Sequence, residues 1–387
     1  VFNIPYGRQS IEEEDLAAVC AVLRSDWLTQ GPMGPRFECA LAKKCGAHHA
    51  VAVNSATSAL HIACIALGLG PGDWLWTSPN TFVASANCAL YCGAHVDFVD
   101  IDNISYNMSV DALASKLEAA ERSGRLPKIV IPVHFAGQSC DMASIYKLAK
   151  RYRFHVIEDA SHAIGGSYQG EPIGCCRYSD IAVFSFHPVK IITSGEGGAA
   201  LTNDPGLAAK MALLRSHGIT RELSELEATP EGPWVYEQIA LGFNYRLTDI
   251  AAALGLSQLA RLDRYVCRRQ ELAARYDQLL KDLPVAPPGR SDEAYSAFHL
   301  YVIKLEERSS VPSRRAVYDA LRAVGIGVNV HYIPVHTQPI YRGLGFKRGD
   351  FPEAERYYRG ALTLPLYPGM SERDQDNVLQ ALKAALV

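Results

Sequence analysis

Through the first 250 residues the hydrophobic positions fall into short apolar runs separated by longer segments of helical period. HAVAVN (49–54) precedes SATSALHIACIALG (55–68), whose apolar residues recur at helical spacing up to a terminal glycine. DWLWTSP (73–79) reads as a strand, TFVASANCALYCG (81–93) as a helix and AHVDFVDID (94–102) as a strand. A helix near 110–122, the strand KIVIPVHF (128–135), the helix MASIYKLAKRY (142–152) and the strand HVIEDA (155–160) continue the series. IAVFSF (181–186) and GAALTN (198–203) close it. Strands alternating with helices predict an α/β fold with a mostly parallel sheet covered on both faces. In such folds ligands gather beyond the carboxyl ends of the strands.

Past residue 247 the pattern changes. Residues 247–281 read as long helical stretches rich in charge, and Pro284, Pro287 and Pro288 break the chain after them. The strand HLYVIKL (299–305), a helix at 312–324, the segment GVNVHYIP (327–334) and a terminal helix from Ser371 follow. The expected organisation is a large domain over residues 1–250, with an N-terminal arm, and a smaller C-terminal α/β domain over 251–387. A chain of 387 residues, 48% hydrophobic and 20% charged, has the makeup of an ordinary globular protein with room for two domains. Its net charge of −3 offers no footprint for nucleic acid or an anionic membrane. No stretch approaches the roughly 20 apolar residues that span a bilayer. VFNIPYGRQSIEEEDL, at the start, lacks the basic and apolar segments of a signal peptide. Ten cysteines without a C-x-x-C pair argue against a metal site or a disulfide framework, and Cys88 and Cys92 read as core thiols. The expected compartment is the cytoplasm.

Candidate chemistry begins with Lys190. Its flanks in AVFSFHPVKIITSGEGGAALT (182–202) are apolar or small, a costly place for an unpaired ammonium. Ser55, Ala56 and Thr57 open a helix whose N–H groups suit a phosphate, although serine and threonine also start helices simply as caps. Glu158 and Asp159 end a hydrophobic strand, where alternation lets only one of them face a given pocket. His162 follows three residues later and, taken alone, reads as a satisfied loop histidine. GEGGAA (195–200) matches G-x-G-x-x-A, but a strand-like segment follows it where a dinucleotide fingerprint needs a helix. No G-x-x-x-x-G-K-[ST] is present, so the ATP P-loop is absent as well. A lysine, a strand-end carboxylate and a phosphate-binding helix start remain, and together they are what pyridoxal phosphate requires.

On these residues the sequence resembles the sugar aminotransferases of the DegT/DnrJ/EryC1/StrS family. NSATSALH, EDASHAIGG, FSFHPVK with TSGEGG, LRSHG, LGFNYRLTDIAAALGLSQL and VNVHYIPVH carry the likeness from residue 54 to 336. The resemblance implies the type I, aspartate-aminotransferase fold. It implies that Lys190 bonds to pyridoxal phosphate and, once released, shuttles a proton, the cofactor passing through its pyridoxamine form. Asp159 then pairs with the pyridinium nitrogen, His162 lies beside the phenolic oxygen and Phe82 stacks on the ring. Ala56, Thr57 and Ser185 hold the phosphate, and Asn244 reaches it from the other subunit of a homodimer with shared sites. His331 falls where a partner-subunit residue meets the sugar or nucleotide. Tyr6, WLTQGP (27–32) and Arg246 are placed near the sugar nucleotide, Arg246 alternatively in an interface ion pair. Relatives with histidine in place of the lysine are dehydratases, so Lys190 favours transamination. FSFHPVK, GQSCDM (137–142) and GFNYRLTDI resemble the branch that aminates a UDP-linked 4-keto-6-deoxy-N-acetylhexosamine for pseudaminic acid, with L-glutamate as donor and 2-oxoglutarate as product. Other dTDP-, GDP- or UDP-linked keto sugars, and a non-catalytic regulatory protein keeping the fold, are the alternatives.

Overall fold

The computed structural model describes residues 2–227, 230–309 and 311–386. Seven strands form the central sheet: β1 (His49–Val53), β2 (Trp74–Thr77), β3 (His95–Phe98), β4 (Ile129–Ile131), β5 (His155–Asp159), β6 (Ile181–Ser185) and β7 (Gly198–Thr202). Their order is β1-β7-β6-β5-β4-β2-β3. The β5–β6, β4–β5, β2–β4 and β2–β3 pairs are parallel, whereas β7 runs antiparallel to both β1 and β6. That exception follows from the connection: no helix separates β6 from β7, and a parallel return needs a crossover. Every position of β4, β6 and β7 is buried, which is why these strands read as unbroken apolar runs.

Alternate residues of each strand feed different layers. Val51, Val53, Ile157, Ile181 and Val183 pack with the helices Ala56–Ala66, Ala84–Tyr91 and Pro205–Leu214. Ala52, Ala182, Phe184, Ala199 and Leu201 face Met33–Cys45 and Asp249–Leu259, and Trp76, Val130 and Val156 face Val110–Ser123 and Met142–Tyr152. The expected strand 128–135 stops at Ile131, because Pro132 has no N–H to donate; its carbonyl instead accepts the Asp159 N–H at 2.9 Å. GVNVHYIP is not a strand, and only Asn329 bridges to Thr363. Helices at Glu13–Leu23 and Met33–Cys45 precede the first element expected from the sequence.

The C-terminal part packs Arg314–Ala323 and Glu372–Ala385 on a three-stranded antiparallel sheet of Val285–Ala286, Tyr301–Leu305 and Ala361–Leu364. Ile4 lies in this core, and the Phe2 N–H donates to the Val324 carbonyl at 2.7 Å, so the N-terminal arm closes on the C-terminal part. Residue 250 falls inside the Asp249–Leu259 helix, whose Asp249 carboxylate accepts the Gly31 and Met33 N–H groups at 2.8 Å each. All ten cysteines are free thiols; Cys88 is fully buried and Cys92 partly so. Among the described residues no helix is long and apolar enough to cross a membrane, and no group of three or more His, Cys, Asp and Glu could hold a metal ion.

Arg269 ties the C-terminal part together internally. It is fully buried with no carboxylate beside it, and donates to the carbonyls of Phe298 (3.1 Å), His299 (3.2 Å) and Leu366 (3.0 Å). Burial pulls its pKa down to about 10, which leaves it cationic at neutral pH. Arg269→Ala removes those donors and opens a cavity, at a cost of at least about 3 kcal/mol. The expected outcome is a clear fall in the urea midpoint of the purified protein; an unchanged midpoint would contradict this role.

Candidate active site

A cavity of about 900 Å³ opens where the strands end. Its floor comes from the ends of β5 and β6, one wall from the start of the Ala56–Ala66 helix, and the opposite wall from Asn329–Tyr332. Alternation decides between the two acids that close β5. The Glu158 carboxylate turns away from the cavity, bonded to His134 Nε2 at 2.7 Å and accepting from Ser179 Oγ at 2.5 Å. His134 Nδ1 accepts the Cys140 N–H at 3.2 Å, so the ring proton lies on Nε2 and is donated to Glu158, which is thereby committed to an internal hydrogen bond. Asp159 lines the cavity, accepting from Ser85 Oγ at 2.6 Å and from the Ser161 N–H at 3.1 Å. Ser85 belongs to the helix that follows Phe82, so the acid and the aromatic ring are positioned by one element.

Lys190 sits in the turn between β6 and β7, its N–H donating to the His187 carbonyl at 2.8 Å. Burial pulls its pKa down to about 8, against the opposing pull of the Asp159 charge. At the helix start Ser55 is the cap, its hydroxyl accepting the Ser58 N–H at 3.1 Å. Capping leaves the N–H groups of Ala56 and Thr57 at the positive end of the helix, beside the cavity, where they could meet an anion. Gly198 makes this close approach possible. A Cβ there would stand 2.4 Å from the Ala56 nitrogen and 2.5 Å from the Ser55 carbonyl carbon. The glycine-rich run thus lets a strand pass against a helix start.

Of the residues expected from the sequence, Tyr6, Ala56, Thr57, Phe82, Asp159, His162, Ser185, Lys190 and His331 all line this cavity. Phe82 is more than half exposed, an apolar face offered to a planar ring. His331 corrects the expectation of a partner-subunit residue: it lies in its own chain's cavity, 5.6 Å from the Tyr6 ring, because Ile4 and Gly327 pair and bring the two segments side by side. Burial and the Lys190 charge lower the His331 pKa to about 3. Asn244 and Arg246 are not brought to this cavity. Asn244 is exposed, its carbonyl 3.5 Å from Asn54 Nδ2, and Arg246 bridges Val53. WLTQGP is likewise outside, pinned by Asp249. Sequence reasoning missed Ser85, Ser161, His299, Asn329 and Tyr332. Ser85 stands one turn after Phe82 in a helix already expected; nothing local marks the others.

The donor set fits pyridoxal phosphate: free N–H groups at a helix start for the phosphate, a buried carboxylate for the ring nitrogen and a half-buried lysine with a lowered pKa. Comparison with known proteins agrees. The model of the DegT/DnrJ/EryC1/StrS aminotransferase family matches residues 9–383. The spore coat polysaccharide biosynthesis protein SpsC of Bacillus subtilis is 41% identical over 383 residues, covering 98% of this chain and 96% of the relative. The structure of Helicobacter pylori PseC, an aminotransferase of pseudaminic acid biosynthesis, superposes with a TM-score of 0.91 at 32% identity, covering 100% of this chain and 99% of the other. The sugar aminotransferase Spr1654 of Streptococcus pneumoniae, described as putative and solved in its PMP form, gives a TM-score of 0.91 at 30% identity, with 99% of each chain covered.

The Lys190 amine gains reactivity early on the pH scale. Its folded pKa of about 8 lies below its ordinary 10.5, so the unfolded chain binds the extra proton between those values and stability rises with pH across that window. In the unloaded protein, an amine-selective label should modify Lys190 with a midpoint near pH 8, read by peptide mass spectrometry, while exposed lysines respond some two units higher. Labelling of Lys190 in step with the surface lysines would contradict the burial argument.

Proposed function

The chain belongs to the DegT/DnrJ/EryC1/StrS aminotransferase family, and on that premise we propose that it aminates C4 of a UDP-linked 4-keto-6-deoxy-N-acetylhexosamine, with L-glutamate as donor, in pseudaminic acid biosynthesis. The observation that carries the reading of the chemistry is the placing of Lys190 and Asp159 in one cavity beside the uncommitted N–H groups of Ala56 and Thr57. The likeness to PseC supports the choice of substrate. A second reading, another UDP-, dTDP- or GDP-linked keto sugar, is supported by the higher identity to SpsC, a spore coat polysaccharide protein.

When bound, pyridoxal phosphate supplies an electron sink for the carbon that loses its proton. The side chains of this protein do the rest. Ala56 and Thr57, with Ser185, hold the phosphate; Phe82 covers one face of the ring. Asp159, oriented by Ser85 and Ser161, would hold the proton on the ring nitrogen. Lys190 Nζ takes the proton from the donor's α-carbon and returns it one position away. With a pKa of about 8, about a tenth of Nζ is unprotonated at pH 7, some 300-fold more than at its ordinary value. Asn244, exposed and outside its own cavity, serves the phosphate of a neighbouring subunit, and the working form is a soluble cytoplasmic homodimer.

Three outcomes follow. Supplied with glutamate and a panel of UDP-, dTDP- and GDP-4-keto-6-deoxy sugars, the enzyme should aminate the UDP-linked N-acetyl sugar fastest by mass spectrometry; preference for another nucleotide moves the substrate to the second reading. Asp159→Asn should bind cofactor yet slow proton transfer by two or more orders of magnitude in stopped-flow measurements. Near-parental turnover would remove Asp159 from its role. Lys190→Ala and Asn244→Asp, each nearly inactive alone, should recover up to about a quarter of parental activity when mixed as dimers, since one site then carries both lesions and the other neither. Verified mixed dimers without recovery would place Asn244 in its own chain's site.

A further inference from the structure

His162 has only one way to spend its protons. Its Nδ1 lies 3.3 Å from the main-chain nitrogen of Ala136, a group that can only donate, so Nδ1 must present its lone pair. The turn that aims this N–H is well held. Ala136 sits at φ 58°, in the left-handed region, and Gly137 has no room for a Cβ, which would meet the Phe298 nitrogen at 2.7 Å. The Leu300 and Ala297 N–H groups bind the carbonyls of Ala136 and Gly137 at 3.2 and 2.9 Å. Burial first, then the charge of Lys190, pushes the His162 pKa well below its ordinary value, so the ring is neutral. A neutral imidazole carries one N–H, which is therefore on Nε2. Nε2 stands 3.1 Å from the Tyr332 hydroxyl oxygen, and the two rings stack at 21°. The single N–H of His162 is thus donated to Tyr332.

Tyr332 then keeps its own hydrogen. Its hydroxyl lines the cavity and has no other hydrogen-bond partner among the described residues. Burial, with Asp159 and Tyr6 nearby, raises its pKa, so the phenol stays protonated. The titratable groups that face the pair are Lys190, Asp159, His331, His299, Tyr6 and Tyr357, and among the described residues none of them accepts from it. We propose that Tyr332, rather than His162, gives the hydrogen bond received by the phenolic oxygen of the bound cofactor, with His162 as a positioning residue that fixes the direction of the Tyr332 hydroxyl. The assignment rests on the pyridoxal phosphate reading of the cavity.

The test is a pH titration of the visible absorbance of the cofactor-loaded protein. A negative phenolic oxygen holds the proton on Lys190 Nζ, and a donor that shares this charge loosens that hold. Tyr332→Phe should raise the titration midpoint by about one unit. His162→Ala should shift it in the same direction. The double variant should shift no further than Tyr332→Phe alone, because His162 acts only through Tyr332. A midpoint unmoved in Tyr332→Phe, or shifts that add in the double variant, would overturn the assignment. A parent protein that develops no visible band with pyridoxal phosphate would instead sink the cofactor reading itself, and this assignment with it. Independently of any cofactor, nitrogen NMR of the unloaded parent should find the His162 proton on Nε2. A proton on Nδ1 removes the argument.

Discussion

A carboxylate buried at the end of a parallel strand must find its hydrogen bonds among its neighbours, and the site is arranged around that requirement. Asp159 is almost wholly out of solvent and has no salt bridge among the described residues; a hydroxyl and a main-chain N–H supply its hydrogen bonds. Uncompensated, such a charge would cost several kcal/mol or be neutralised. The helix carrying Ser85 must therefore start where it does, and that start puts Phe82 at the cavity mouth. Lys190 meets the same requirement from the other side. Its amine is pulled toward neutrality by burial and toward charge by Asp159, and the balance leaves it able to give and take a proton near neutral pH.

The second wall depends on long-range closure. Arg269 holds the carbonyls of Phe298 and His299 from below, and the turn at Ala136–Gly137 is clamped by the Ala297 and Leu300 N–H groups. The N-terminal arm pairs with Ile326 and Gly327 and so sets Tyr6 against His331. Large sheet, arm and C-terminal part thereby share one continuous packing around the cavity. Aromatic and neutral polar groups line this wall of the cavity, while the start of the Ala56–Ala66 helix lines the other.

What the sequence could reveal divides along the same line. The strands are legible because a fully buried parallel strand is apolar at every position, and Lys190 is legible because a lysine among such residues needs a reason. Glu158 and Asp159 could be narrowed to one, but which of them faces the cavity depends on the phase of β5, visible only in their partners. The end of β4 was hidden behind the apolar look of KIVIPVHF, although Pro132 states it. The place of His331 is not legible in the sequence, because it is fixed by pairing between residue 4 and residue 327, which no local pattern records. Tyr332 was missed for the same reason, since its hydroxyl meets His162 across 170 positions of chain.

The central claim is that Lys190 moves the proton that makes this cavity an aminotransferase site. The most direct measurement is a single turnover without any sugar: protein loaded with pyridoxal phosphate, mixed with glutamate labelled with deuterium at its α-carbon, and assayed for 2-oxoglutarate. The account predicts one equivalent of 2-oxoglutarate per site from the parent, slowed by the deuterium, and none on the same time scale from Lys190→Ala. Equal formation of 2-oxoglutarate by the parent and by Lys190→Ala would contradict it.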